Sequence, residues 1–156
     1  MDEYRFRSVL SRFASGVTVV TAVDVKGVDH GITVSAFCSL SLEPPLVLVC
    51  IDHQTVMHGV MAGGSAFAVN VLAMDQEELA RKFSDPDNDR FDGTSFTRGS
   101  NGAPALTGAA ATLECATMDR FEGGDHTIFV GRVETAEPSD AQPLLYYRGG
   151  YARLER

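Results

Sequence analysis

Residues 110–137 read AATLECATMDRFEGGDHTIFVGRVETAE, which indicates two long β-strands joined by a tight turn. The turn is predicted at residues 122–125, where the sequence is Glu-Gly-Gly-Asp, and the strands at residues 110–121 and 126–137. Two shorter strands are predicted at residues 144–147 and 151–154, separated by Arg-Gly-Gly, and are expected to close the sheet. This C-terminal half therefore predicts antiparallel β-structure.

The N-terminal half predicts further strands. Residues 17–25 and 28–37 are rich in β-branched side chains and are separated by Lys-Gly, which predicts a hairpin. Continuous apolar runs at residues 46–51 and 67–72 predict two buried strands. We therefore expect six or more short strands.

Three helices are predicted between these strands. An apolar stripe at helical spacing predicts a helix over residues 2–14 that packs one face on the core; the stripe comprises Phe6, Val9, Leu10 and Phe13. Thr55 is placed to cap a helix over residues 56–62. A helix over residues 75–83 is predicted to begin with a capping box of Asp75 and Glu78. Residues 84–106 are polar and predict a long excursion over the surface.

Hairpin-linked strands with few helices favour a mainly β fold, a small antiparallel barrel with peripheral α-helices, over a βαβ sheet. Closing the barrel would also remove exposed strand edges. The length of 156 residues predicts a single domain covering residues 1–156.

Composition excludes several classes of function. The formal net charge of −8 disfavours a nucleic-acid partner. No residue run predicts a membrane span or a secretion signal, and three cysteines without paired spacing favour a reducing compartment, so a cytoplasmic protein is expected. The four histidines are scattered, which argues against a metal site, and no hydrolase or nucleotide-binding signature is present.

Residues 31–41, GITVSAFCSLS, carry alternating hydroxyls. On an extended chain this places a row of hydroxyls on one face, among small residues that allow a ligand to approach closely. The row could bind the polar edge of a flat heterocycle or a phosphate. By spacing alone, the pattern favours the polar outer face of an antiparallel strand.

Five segments together resemble the short-chain flavin reductase family, the reductase components of two-component flavin-dependent monooxygenases. They are FRSVLSRFASGVTVVTA (6–22), GITVSAFCSLSLEPPLVLVCI (31–51), FAVNVL (67–72), EGGDHTIFVGRV (122–133) and PLLYYRGGY (143–151). The resemblance covers nearly the whole chain, in order. It implies a split β-barrel of the FMN-binding, Greek-key type and a homodimer with flavin near the subunit interface.

The resemblance also implies positions for a flavin cofactor, FMN or FAD. The segment that would lie along the isoalloxazine ring comprises Thr33, Val34, Ser35 and Ala36. A second segment, with Ser39 and Ser41, would lie close to the ring. The end of the next strand and the following turn would lie along the flavin tail, through Cys50, Ile51, Asp52 and Thr55. Relatives often carry serine where this chain has Ala36, which would reduce the hydrogen bonds to the ring.

Three further positions follow from the same resemblance. Lys82 and Phe83 match the family's basic–aromatic pair, and Lys82 would meet a phosphate. His126 lies where reduced nicotinamide would stack on the flavin, as a positioning or hydrogen-bonding group, and Tyr147 would line the same mouth. From the residues alone, the structural interpretation is preferred: Thr55 is an ordinary helix cap and Lys82 a solvated partner of Glu78. His126 and Tyr147 would likewise be structural groups of the barrel.

Three functions remain open on this reading. The first is an NAD(P)H:flavin oxidoreductase that uses NADH or NADPH and supplies reduced flavin to a separate monooxygenase. The second is a flavin-bound reductase of another acceptor, and the third is a non-catalytic flavin-binding redox sensor or storage protein. Hydride transfer from nicotinamide to flavin needs no protein nucleophile, which fits the absence of a catalytic triad motif.

Overall fold

The computed structural model describes residues 1–155, which form twelve strands and three helices. The helices are α1 (Glu3–Leu10), α2 (Val56–Gly63) and α3 (Glu77–Ser84). The strands are β1 (Ser15–Gly16), β2 (Thr18–Val23), β3 (Asp29–Val34), β4 (Phe37–Leu42), β5 (Pro45–Asp52), β6 (Ala66–Val71), β7 (Phe96–Arg98), β8 (Pro104–Leu106), β9 (Ala111–Gly123), β10 (His126–Pro138), β11 (Leu144–Tyr147) and β12 (Gly150–Arg153).

Seven strands form one antiparallel sheet in the order β3-β2-β6-β9-β10-β5-β4. Its two edge strands, β3 and β4, are consecutive in the chain and meet at Ser35–Ala36. There the Cys50 amide donates to the Ala36 carbonyl across 3.0 Å. The sheet therefore curls on itself and remains split between its edges, which confirms the predicted mainly β split barrel with peripheral helices.

The interior of the curled sheet is a densely packed apolar core. Phe67, Val49, Cys115 and Phe129 are completely buried in it. At Gly131 a Cβ atom would lie 2.5 Å from the Phe67 ring, so glycine is what lets this aromatic side chain lie over β10. A second buried cluster, containing Val17, Leu72, Ala80, Phe83 and Leu144, lies beneath α3.

The long hairpin of β9 and β10 and the capped helix α2 form as predicted. Gly124 adopts a positive φ of 66° within the β9–β10 turn, a conformation that glycine reaches without strain. The Thr55 hydroxyl accepts a hydrogen bond from the amide of His58, as expected for an N-cap.

Two strand predictions are wrong. The strand predicted over 28–37 ends at Val34, because β3 pairs with β2 whereas β4 turns away to pair with β5. The C-terminal strands β11 and β12 do not close the seven-stranded sheet; they form a separate sheet with β1. In both cases long-range pairing, which local composition does not encode, decides the boundary or partner.

The remaining differences concern helices and the long loop. The apolar stripe of α1 does not pack on the core of this chain: its Phe6, Val9 and Leu10 are more than half exposed. Helix α3 begins at Glu77 after Gln76, without a side-chain cap from Asp75. Residues 84–106 are not wholly superficial, since they contain β7 and β8 and bury Leu106 in the second cluster.

Candidate functional site

An open cleft of about 720 Å³ lies between α1, the β3–β4 corner, β5 and the β11–β12 sheet. Ser35, Ala36 and Cys50, three of the residues predicted to lie against flavin, line it. The rest of its wall is mostly apolar and includes Leu10, Phe13, Phe37, Cys38, Leu48 and Tyr146. The cleft is large enough for a tricyclic aromatic ring system, and its small residues at 35–36 permit close approach to the backbone.

The register of β5 against β10 connects this cleft to His126. Cys50 lies opposite Ile128 and Asp52 lies opposite His126. Residues that lie directly opposite one another in an antiparallel pair point to the same face, and every second residue shares that face. Cys50, Asp52 and His126 therefore share the face that carries the cleft, whereas Ile51 is buried in the barrel interior and could contact a ligand there only through its backbone.

The hydroxyls at residues 33–41 do not form one continuous row. The strand breaks after Val34, and a register shift separates Ser39 from Ser41 within β4. Thr33 and Ser35 together line a smaller pocket of about 260 Å³ next to the cleft. The Thr33 hydroxyl donates to the Ala80 carbonyl at 2.6 Å, while the Ser35 hydroxyl has no partner within residues 1–155.

The two thiols of the cleft, on Cys38 and Cys50, are both free. Burial raises the pKa of the Cys50 thiol, and the proximity of Cys38 adds to the effect. Cys50 is therefore a neutral, weakly polar surface at physiological pH. A neutral thiol suits contact with an aromatic ring better than a thiolate would.

Thr55 lies at a second pocket, of about 410 Å³, between the outer part of β3 and the N-terminus of α2. Its hydroxyl donates to the Asp52 carbonyl at 2.8 Å while it caps the helix. Arg90 lines the same pocket and donates to the Gly31 carbonyl at 2.5 Å. Burial lowers the pKa of the Arg90 guanidinium, yet the group stays cationic because its ordinary pKa is above 12.

Sequence reasoning missed Arg90. It lies in the polar stretch 84–106, where local periodicity carries no information, and only the fold brings it to Thr55. A helix N-terminus and the Arg90 guanidinium, two groups that suit a phosphate, meet at this pocket. The carboxylates of Asp29 and Asp89 line it as well, and Asp29 is paired with Arg98.

Lys82 has partners that the helical spacing does not predict. Its ammonium donates to the Asp92 carbonyl and to the Thr94 hydroxyl, the latter at 3.1 Å, and not to Glu78. An ammonium has three donors, so one remains for a ligand. The neighbouring Phe83 ring is completely buried against Gly31 and Phe91, so its side chain contributes packing.

His126 begins β10 and is about two-fifths exposed. Its Nδ1 lies 2.7 Å from Asp125 Oδ1, and this hydrogen bond lowers the pKa of the Asp125 carboxyl. Because an ionised carboxylate can only accept, Nδ1 carries the proton and Nε2 of the neutral ring is an acceptor. The arrangement presents one imidazole nitrogen to a ligand.

At the opposite wall of the cleft, the structure brings Tyr146 to the site. Tyr146 lines both the cleft and the smaller pocket and contacts Tyr151, with ring centroids 5.5 Å apart. Tyr147 points to the other face of β11 and contacts Arg148. A strand alternates its faces, and without the tertiary structure the sequence does not indicate which tyrosine faces inward.

Among the residues that the structure describes, no group of three or more His, Cys, Asp or Glu side chains converges as a metal-ligand set. Nor does any helix within the described residues have the length and apolar character needed to cross a membrane.

Comparison with known proteins identifies the family. Residues 10–155 match the model of the flavin reductase like domain. The chain belongs to this family. The resemblance drawn from the sequence is thereby confirmed.

Individual flavin reductase relatives are similar over almost the full chain. The reductase subunit of a flavin-dependent monooxygenase from Rhodococcus jostii is 40% identical over 156 residues, covering 99% of this chain and 80% of the relative. The solved NADH:FAD oxidoreductase of Streptomyces globisporus, in complex with NAD and FAD fragments, is 42% identical with a TM-score of 0.95, covering 99% and 93%. The flavin reductase component of a bacterial two-component tryptophan halogenase is 40% identical with a TM-score of 0.93, covering 99% of each chain.

Proposed function

We propose that this chain is an NAD(P)H-dependent flavin reductase that transfers a hydride to flavin and supplies reduced flavin to a separate monooxygenase. The observation that carries the proposal is the single sheet face that joins the apolar cleft at Cys50 to His126. Such a face can hold two flat rings in contact, which is the principal requirement of a hydride transfer.

The residues around the cleft fit a flavin. When bound, flavin supplies the ring that accepts the hydride. Ala36 and the Ser35 hydroxyl lie at the corner of the sheet, where a small side chain and an unpaired donor can meet the polar edge of that ring. His126 would orient the nicotinamide through Nε2, accepting from its carboxamide. An oriented donor such as the Ser35 hydroxyl stabilises charge that develops on the flavin ring.

The second pocket favours FAD over FMN as the flavin, and the name of a relative favours NADH as the hydride donor. A flavin tail that passes Asp52 and Thr55 would reach the 410 Å³ pocket with Arg90, which has room beyond a single phosphate. A relative 44% identical to this chain is named an NADH-dependent FAD reductase. FMN and NADPH are the alternatives that a comparison of dissociation and Michaelis constants would detect.

The functional unit would be a homodimer of one-domain subunits. The apolar stripe of α1, together with Phe13 beyond the end of the helix, is exposed in the single chain, and Leu10 and Phe13 border the cleft, with Phe13 84% accessible. A second copy covering this stripe would enclose the flavin. The three free thiols fit a cytoplasmic enzyme, because reducing conditions keep thiols free.

Absorption spectroscopy followed by anaerobic titration with NADH tests the function. A flavin reductase should oxidise NADH in proportion to added free flavin and release the reduced product. Turnover that requires another acceptor, with flavin retained, would favour the second function considered above. Flavin binding without NADH oxidation would contradict the proposal and favour a storage or sensor protein.

A further inference from the structure

Four polar side chains meet at the base of the β9–β10 turn, on the side that faces α2. His53 Nε2 lies 2.7 Å from Glu122 Oε2, and His58 Nε2 lies 2.8 Å from the hydroxyl of Thr127. The Thr127 hydroxyl donates to Glu122 Oε1 at 3.0 Å. We call Glu122, Thr127, His53 and His58 the turn network.

The donor directions in the turn network follow from the position of one proton. The Thr127 hydroxyl has a single proton, and that proton is directed to Glu122. His58 Nε2 must therefore donate to the Thr127 oxygen, and His53 Nε2 must donate to the Glu122 carboxylate. Thr127 is only 2% exposed, so its hydroxyl is the buried centre through which His58 and Glu122 are joined.

The turn network fixes the residues that carry His126. Glu122 and Thr127 lie directly opposite each other and enclose the turn that ends at His126. The amide of His53 also donates to the Asp125 carbonyl at 3.0 Å. The turn is therefore tied by side chains and by backbone to the segment that follows Asp52, which is the segment proposed to contact the flavin tail.

We propose that Thr127 and Glu122 are positioning residues for His126, setting the distance between the nicotinamide-facing turn and the flavin-holding segment. This inference rests on the proposed function. Thr127 points to the barrel interior and His126 to the opposite face, so Thr127 acts through the backbone of the turn and not by contact with a ligand. Small misplacements of an orienting group can cost up to about a hundredfold in rate.

The test replaces Thr127 with valine, which keeps the shape and removes the hydroxyl. T127V should raise the KM for NADH by about tenfold while the Kd for flavin changes less than about twofold, because the displaced group contacts only the dinucleotide. T127S, which restores the hydroxyl, should recover wild-type kinetics. T135V is the matched control: Thr135 lies on the same strand, its hydroxyl contacts Glu114 at 2.7 Å, and its loss should leave both constants unchanged.

A double-mutant cycle separates positioning from simple stability. If Thr127 acts through His126, T127V should add nothing to the KM of H126A, whereas independent effects would multiply. Multiplying effects, or a wild-type KM in T127V, would overturn the inference while leaving the reductase function intact. An H126A variant with wild-type kinetics would overturn both the role of His126 and this inference. Wild-type protein that does not reduce flavin with NADH would overturn the proposed function itself. Should T127V fail to fold by circular dichroism, E122A, which removes the acceptor of the Thr127 hydroxyl and the partner of His53, carries the same cycle and the same outcomes.

Discussion

Lys82 has a role in the fold and a proposed role in binding a ligand. Its ammonium anchors the loop at Asp92 and Thr94, and it keeps a donor for the phosphate that the family resemblance implies. Loop anchoring and phosphate binding predict different consequences when the charge is removed.

K82A should weaken binding of FMN by about 1.5–3 kcal/mol, the range for a hydrogen bond to a charged group, and leave riboflavin binding nearly unchanged. Titrations that follow flavin fluorescence would measure both constants. K26A removes the chain's other lysine, in the exposed β2–β3 turn, and should change neither. Equal losses for the two ligands, with a lower Tm, would make Lys82 a loop anchor alone.

His126 is proposed to act in hydride transfer from NADH, a different step from the flavin binding proposed for Lys82. H126A should lower kcat/KM for NADH by about ten- to a hundredfold, equivalent to about 1–3 kcal/mol, and leave flavin affinity unchanged. Stopped-flow reduction of the flavin-loaded protein would separate binding of NADH from the hydride step. A lower Tm with unchanged kinetics per folded molecule would assign His126 a structural role.

Glu114 links stability to pH. Burial raises the pKa of this carboxyl, but hydrogen bonds from the amide of Asn101 and the hydroxyls of Thr135 and Ser100 outweigh burial, so the pKa is lowered from 4.5. A lowered pKa in the folded state gives stability that is fully present above pH 4.5 and is lost as pH falls through the folded pKa. E114Q should therefore show a smaller fall in Tm below pH 4.5 than the wild type. Parallel Tm profiles of the two proteins would contradict this.

At the scale of elements, β10 performs two tasks. Its first residues hold His126 at the cleft face, and its middle residues pass closely over the Phe67 ring at Gly131. The position of the turn therefore depends on the packing of a strand whose centre tolerates no side chain.

G131A should destabilise the protein by about 1–3 kcal/mol, because the new Cβ would overlap Phe67 and Cys115 in a filled core. Guanidinium unfolding would measure the free energy of unfolding. G59A is the matched control, since Gly59 is an exposed helical residue with open space around its Cα, and alanine there should stabilise α2 by about 0.5–1 kcal/mol. A G131A protein as stable as the wild type would show that the Phe67 ring can move aside.

For the molecule as a whole, the outward-facing stripe of α1 is an apolar surface that nothing in the single chain covers. Phe6, Val9 and Leu10 are 52–61% exposed, on a helix with no buried residue. Apolar side chains grouped in this way are typical of an interface.

The wild type should sediment as a dimer, and F6D should shift it towards monomer, because a carboxylate at the interface would have to be desolvated. V25D is the control: Val25 is 89% exposed near the β2–β3 turn, away from α1. Stable obligate dimers usually bury more than about 2,000 Å², so the wild type should remain dimeric on dilution. A wild-type monomer that binds flavin tightly would contradict the dimer.

Features that depend on neighbouring residues could be predicted before the fold was known. The β-strand pattern and the glycines of the turn predicted β9 and β10, and Thr55 predicted the start of α2. Five motifs in the family's order indicated the flavin reductase family. These features follow from backbone sterics and local hydrogen bonds, which a short window of residues contains.

Contacts between distant groups became apparent from the folded chain. The fold ended β3 at Val34, brought Arg90 to Thr55, turned Tyr146 and not Tyr147 to the cleft, and gave Lys82 the partners Asp92 and Thr94. Each outcome depends on strand pairing and burial between residues far apart in the chain. The free energy of these contacts exceeds local propensity, so no short stretch of sequence could specify them.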